Sequence, residues 1–311
     1  MSEPVIGQAD LGAVHRLLHE VFPESDKFAT DAFLRWFYAE NPDGSAAWRD
    51  ALVGTESRAH YGAIPQWYHS RAGRMLLYLS VNSATHASLR RKGMFTRLGE
   101  AVYADIRSGE PAAAGVVGVP NWDAHEPRVK RLGWQIMGPL PVLVSLGAVF
   151  GRTSARHAEA GEALSGSSPL IDDGMLLPSQ GWRQRWTLAK LAWRVRNPLQ
   201  RYWVHRLDDV AALVTTTKVG GIPVALVAKT FRTPCGDTKS LSSLVSDIRR
   251  VHRTPVVAYV GFHRGLRLPG FDLPLRLRPS PLYLGWRLFD TEGPRPELSI
   301  DCFEALDFDV F

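Results

Sequence analysis

Cysteine is nearly missing from this sequence. Cys235 and Cys302 are the two it has in 311 residues, far apart and in no paired motif. That excludes a disulfide framework and a cysteine-rich metal centre, so no metal is expected and both thiols read as buried and reduced. Long hydrophobic runs are also absent. None approaches the roughly 20 apolar residues of a membrane span. The acidic, polar N-terminus lacks the basic and apolar regions of a signal peptide, and a cytoplasmic protein is expected. Two phosphate-binding motifs are missing as well. No glycine loop ends in Gly-Lys-Ser/Thr, and none carries the three glycines of the dinucleotide fingerprint.

What is present is an ordinary globular composition, 45% hydrophobic and 22% charged, in a chain long enough for two domains with a substantial core. The net charge of +6 and a pI near 9.5 favour anionic partners. The most informative stretch is 76–98, LLYLSVNSATHASLRRKGMFTRL. From Leu76 to Ala84 the residues are apolar, β-branched or small, which predicts a central strand. Beyond Gly93, the positions Met94, Leu98 and Val102, flanked by Phe95, Tyr103 and Ile106, have the spacing of one buried helical face. Arg90, Arg91, Lys92, Gly93, Met94 and Phe95 therefore sit where a strand hands over to a helix N-terminus. Free backbone N–H groups, the positive end of the helix dipole and three cationic side chains meet there, which suits a phosphate or pyrophosphate.

Arg90-x-x-Gly93-x-Phe95 after a strand resembles the R/Q-x-x-G-x-G/A signature of the GNAT superfamily of acyl-CoA-dependent N-acyltransferases. The wider order resembles its two-domain bacterial members: Ala84-Thr85-His86, then the basic loop, then Val119-Pro120-Asn121 at a strand end, then Gly133-Trp134 as a close. The recognisable motifs fall within residues 3–145. The resemblance implies an α/β (α+β) GNAT fold, a mixed central sheet flanked by helices, followed by a second, degenerate GNAT-like domain. It implies acetyl-CoA or another acyl-CoA as donor substrate. The implied acceptor is a primary amine, with an amino sugar or sugar-bearing natural product as the first class to consider. No nucleic acid is expected as partner. A protein that keeps the fold and binds acyl-CoA without turnover is the alternative.

By the same resemblance, the strand over 76–84 and the parallel strand over 113–119 splay apart and admit the pantetheine arm. Ser83, Ala84 and Thr85 would pair with it and orient the thioester carbonyl, the loop from Arg90 to Phe95 would hold the pyrophosphate, and Asn121 would touch the coenzyme from the strand end. Asn121 is equally suited to capping the turn after Pro120. Attack of an amine on a thioester needs a group to take a proton and a donor for the oxyanion. His86, Asp123 and His125 are the candidate bases, with Glu126 beside them. His125 has the pKa of a group that works at neutral pH, whereas His86 belongs by resemblance to a fixed turn. Many members of the family protonate the leaving thiolate with a tyrosine four residues before the closing glycine, a position held here by Val129. The terminus, Asp307 to Phe311, resembles the C-terminal carboxylate base of the enhanced-intracellular-survival acetyltransferases.

Elsewhere, helices are expected over 8–22, with Asp10 as N-cap, and over 30–39, before the Asn41-Pro42-Asp43-Gly44 turn. Strands are expected over 51–55 and 60–69. The second presents His60, Tyr61, Gln66, Trp67, Tyr68 and His69, either as a sheet edge with aromatic pairs or as an acceptor-binding wall. The domain reading is 1–150 as the acyl-CoA-binding domain, 151–202 as a linker with an interdomain helix, and 203–311 as the degenerate domain that shapes the acceptor cleft. The helix is placed at 181–196, where Trp182, Trp186 and Trp193 stand among four arginines; this pattern suits an interdomain contact, a membrane surface or a nucleic acid. The last unit has strands over 211–216, 224–229, 254–260 and 282–289 and a helix over 241–251. It has no second glycine loop, hence no second coenzyme site.

Overall fold

The computed structural model describes residues 3–165, 169–234, 236–278, 281–289 and 298–308. Small, aromatic and β-branched residues dominate 47–85 and form three antiparallel strands, Ala47–Val53, Glu56–Ser70 and Gly73–Thr85, whose tight turns place Gly54 and Gly73 at positive φ. Gly115–Gly118 adds to Gly73–Thr85 in parallel, and Tyr283–Leu288 and Gln135–Pro139 extend that side antiparallel. Across Glu56–Ser70 the path continues through Trp182–Gln184, Ile300–Glu304, Val256–His263, Ile222–Arg232, Val210–Val219, Trp203–Leu207 and Arg156–Glu159. The mixed α/β class expected from the sequence is the one found. The halves also exchange strands: Val142–Leu146 pairs with Val256–His263, while Tyr283–Leu288 returns beside Gly115–Gly118.

Helices close both faces. Leu11–Val21 is capped by Asp10, whose side chain accepts from the Ala13 N–H, and it buries Val14, Leu17 and Leu18. With Ala32–Ala39, which buries Phe33, Leu34, Trp36, Phe37 and Tyr38, it covers one face of the first half. Met94–Arg107 covers the other with Leu98, Val102, Tyr103 and Ile106, the face its spacing predicts. In the second half Leu241–Val251 packs Leu244, Val245 and Ile248 over the strands.

Two expectations are corrected. The strand over 60–69 is an interior strand, paired on both edges, and none of its six singled-out side chains lines the large cleft described below, although Gln66 borders a small separate cavity. It is therefore not a sheet edge, and its aromatic groups stand apart from the large cleft. The helix expected over 181–196 is shorter, because Trp182–Gln184 is drawn into the sheet and only Leu188–Val195 is helical. Its Trp193 stacks on Trp36 at 5.0 Å, and each indole N–H donates to the other residue's carbonyl, at 3.0 and 3.3 Å. Lys190 and Arg194 are buried beside them. The contact buries Trp193 between this helix and Ala32–Ala39. Among the described residues no helix is long and apolar enough to cross a membrane. Cys302 is a buried free thiol, and Cys235 lies outside the described residues.

Candidate active site

The cleft begins where two parallel strands stop pairing. Gly73–Thr85 and Gly115–Gly118 are in register from Leu77 to Leu79, the last pair being Leu79 with Val117. Beyond that pair the first strand runs on to Thr85, the second turns away through Val119, Pro120 and Asn121, and a cleft of about 1380 Å³ opens between them. On the other edge of the first strand the register slips. Between the pairs His60–Ala84 and Gly62–Val81 one strand advances two residues and the other three, so a bulge sits at Asn82 and Ser83. Asn82 has φ +51, a conformation its short amide side chain tolerates better than most. A bulge turns backbone groups out of the ladder, here toward the cleft that Asn82, Ser83, Ala84 and Thr85 line.

The bulge is held from behind by a buried chain. Asn82 Nδ2 donates to the Tyr38 hydroxyl at 3.3 Å, that hydroxyl is 3.0 Å from His60 Nε2, and His60 Nδ1 is 3.0 Å from Asp50 Oδ1. Asp50 is anchored in turn by Ser57 Oγ and the Ala9 N–H. Tyr38, His60 and Asp50 are all buried. No pattern in the sequence links these three residues, which come from a helix and two strands.

Below the bulge lies the glycine loop. Gly93 adopts φ +71 and caps Met94–Arg107 without a side-chain hydrogen bond, so the first helical N–H groups lack an intrahelical partner. A Cβ on Gly93 would meet nothing within 4 Å, so glycine is needed there for its backbone conformation rather than for room. Arg90, Arg91, Gly93, Met94 and Phe95 line the cleft, and Arg90 Nε donates to the Thr85 carbonyl at 3.3 Å. Lys92 is exposed and is not part of the wall.

The third wall is the helix Trp122–Leu132. Asn121 caps it, its Oδ1 accepting from the Ala124 N–H at 3.0 Å, and also lines the cleft. The helix turns Ala124, Pro127, Arg128 and Arg131 inward at i, i+3, i+4 and i+7. Val129 points away and is 38% exposed. Arg128 reaches the closed end of the fork, donating to Ser80 Oγ at 3.2 Å and to the Ala124 carbonyl at 3.2 Å. Ser80 donates onward to the Tyr61 hydroxyl, which pairs with that of Tyr103 at 2.7 Å, and Trp134 Nε1 donates to the same Tyr103 oxygen. Burial, with Tyr61 beside it, pushes the Tyr103 phenol well above its ordinary range, so it stays protonated.

The candidate bases are less well placed. His86 caps the turn Ala87–Leu89: its Nδ1 is 2.7 Å from Ser88 Oγ, and its Nε2 is 3.1 Å from Glu20 Oε1. His125 lies against the ring of Tyr283, at 5.1 Å between centroids. Neither lines the cleft. Asp123 is in the first turn of the helix after Asn121, and its side chain lies outside the described residues, as do Asp309 to Phe311. Asp307 is buried, with Lys229 Nζ at 2.6 Å from Oδ2 and Trp186 Nε1 at 2.8 Å from Oδ1. Cys302, Glu304 and Asp307 have the proximity of metal ligands, but the Lys229 ammonium sits among them, 2.8 Å from Glu304 Oε2. Burial alone would lower Lys229, yet Asp307, Cys302 and Glu304 hold it well above the usual lysine range. Acidic groups that do line the cleft are Glu24 and Asp26, in the segment after the first helix.

No protein-family model and no curated protein sequence matches the chain. Solved structures do. A probable N-acyltransferase from Enterococcus faecalis superposes with a TM-score of 0.60 at 10% identity, over 92% of this chain and 73% of that one. A GCN5-related N-acetyltransferase from Anabaena variabilis gives 0.60 at 11% identity, over 92% and 72%. The N-myristoyltransferase of Saccharomyces cerevisiae, solved with bound myristoyl-CoA, gives 0.55 at 12% identity, over 97% and 87%. The strand fork, the bulge and the capped helix thus belong to a chain with the fold of the GCN5-related N-acetyltransferases.

Proposed function

We propose that the protein is an acyl-CoA-dependent N-acyltransferase. The observation that carries this reading is the meeting, in one cleft, of a strand fork that ends at Leu79 and Val117, a bulge at Asn82 and a positive-φ glycine capping a helix among arginines. The two strand edges past the fork have backbone groups that an extended, amide-bearing arm can pair with. The helix N-terminus with Arg90 and Arg91 suits the pyrophosphate at the other end of that arm. Ser83, Ala84, Thr85, Arg90, Arg91, Gly93, Met94, Phe95 and Asn121, which line the cleft, are accordingly assigned to the donor, while Lys92 lies outside its wall. The cleft exceeds the 300–1,000 Å³ typical of one small ligand, which leaves room for a second substrate or a longer acyl chain.

The acceptor is assigned to the primary amines. It arrives largely as an ammonium ion, and Glu24 and Asp26 supply the negative charge that attracts it into the cleft. Deprotonation then passes to one of these carboxylates or to Asp123, directly or through water. The amino-sugar class rests on sequence resemblance alone. The test is thiol release from acetyl-CoA and a long-chain acyl-CoA with a panel of amines, amino sugars included. Amine-dependent release is expected. Donor binding without release for any amine would instead make this a non-catalytic acyl-CoA-binding protein.

A further inference from the structure

The tyrosine that often protonates the leaving thiolate in this fold has no counterpart at Val129, whose side chain faces outward. The side chain that the same helical turn sends inward is Arg128. It is 6% exposed, and its guanidinium lies against Phe95 and Trp134, 5.0 and 5.4 Å from their ring centroids. Its Nε is buried without a hydrogen-bond partner, and among the described residues no carboxylate pairs with it. A buried cation without a counter-ion is costly to keep. Here it faces an open cleft, so the charge it lacks can come from a ligand.

The place of Arg128 along the cleft says which part of the ligand. From Thr85, beside the glycine loop, back to Ser80, where Arg128 donates, the bulged strand advances as far as its partner does from Ala59 to Ala63, four residues or about 13 Å at 3.3 Å per residue. A pantetheine arm, two amides joined by short carbon links, spans about the same length when extended. With its pyrophosphate at Gly93, the arm brings its sulfur level with Ser80 and can go no deeper, because Leu79 and Val117 are paired there.

Resting on the acyl-CoA reading above, we propose that Arg128 is a catalytic residue that stabilises the coenzyme A thiolate as the leaving group, a fixed cation doing the work of a proton donor. The acceptor nitrogen attacks the thioester carbonyl and the C–N bond forms. The C–S bond breaks with its electron pair on sulfur, and the thiolate stays paired with the guanidinium. The proton lost by the nitrogen goes to the carboxylate that acts as base, directly or through water, and the thiolate is protonated from solvent once coenzyme A leaves. A guanidinium does not give up its own proton in this range, so it acts by charge and hydrogen bonding alone.

The test is the thiol titration of coenzyme A bound to the protein, read from thiolate absorbance in the ultraviolet, with affinity measured separately by calorimetry. In the wild-type complex the thiol should titrate about 1–2 units below free coenzyme A. Arg128→Gln should return it to the free value and lower kcat about 100-fold with a smaller change in KM. Arg128→Lys, which keeps the charge, should retain most of the shift. A merely structural arginine would leave the wild-type thiol at its free value. That result, with coenzyme A bound, overturns the proposal and spares the donor site. Absence of coenzyme A binding removes both. The wild-type titration decides the matter even if a variant fails to fold.

Discussion

Gly62 is the residue whose replacement tests the buried chain behind the bulge. A Cβ there would overlap the Tyr38 hydroxyl and lie 3.0 Å from His60 Nε2 and Tyr38 Cζ. In Gly62→Ala the hydroxyl must move, which loses its contacts with His60 at 3.0 Å and Asn82 at 3.3 Å. Overpacking a tight core costs about 1–3 kcal/mol, and a buried imidazole nitrogen left without its partner costs about 1–3 kcal/mol more. A loss of about 3 kcal/mol is expected. Tyr38→Phe alone removes the hydroxyl and should cost about 1–2 kcal/mol. It also vacates most of the space the new methyl needs, so Gly62→Ala in that background should cost about 1 kcal/mol. The coupling of about 2 kcal/mol is read from urea midpoints at constant m. If the cost of Gly62→Ala is the same in both backgrounds, the overlap with Tyr38 is not what requires glycine at that position.

Three further outcomes follow. Gly93→Ala meets no neighbour and should cost only the strain of φ +71, about 1–2 kcal/mol, with acyl-CoA affinity nearly kept; Gly93→Asp should abolish affinity by placing a carboxylate where the pyrophosphate sits, as calorimetry would show. Lys229→Met strips the cation from the buried carboxylates Glu304 and Asp307 and should cost about 3–5 kcal/mol by chemical denaturation. His205 is fully buried 2.9 Å from His252, and burial, then His252 and His157, lowers its pKa to about 3. The unfolded state, with an ordinary histidine near 6.5, therefore binds a proton that the folded state refuses. The resulting stability loss sets in below about pH 6.5, reaches roughly 2 kcal/mol at pH 5, and continues until pH falls to about 3. His205→Gln should flatten that part of the stability–pH curve.

The parts of the site that could be read from the sequence are local. The strand, the glycine loop and the buried face Met94, Leu98 and Val102 follow one another within 76–98, and each has its own period or turn chemistry. Arg128 was also within reach, because Ala124, Pro127, Arg128 and Arg131 repeat at helical spacing from the Asn121 cap. The family's tyrosine position, four residues before Gly133, falls instead on the outward Val129. The chain from Asp50 through His60 and Tyr38 to Asn82 joins three elements through single side-chain contacts, which leave no periodic trace. The tryptophan helix is shorter than the spacing of Trp182, Trp186 and Trp193 predicts, because that spacing cannot reveal that Trp182 is claimed by a strand pairing with Ile300, far along the chain.

The most direct test of the central claim is a calorimetric titration of the wild-type protein and Gly93→Asp with coenzyme A, acetyl-CoA and a long-chain acyl-CoA. The expected result is saturable one-to-one binding to the wild type, tighter for an acylated form, and none to the variant. Failure of all three ligands to bind the wild type, or equal binding to both proteins, would contradict the assignment of the cleft.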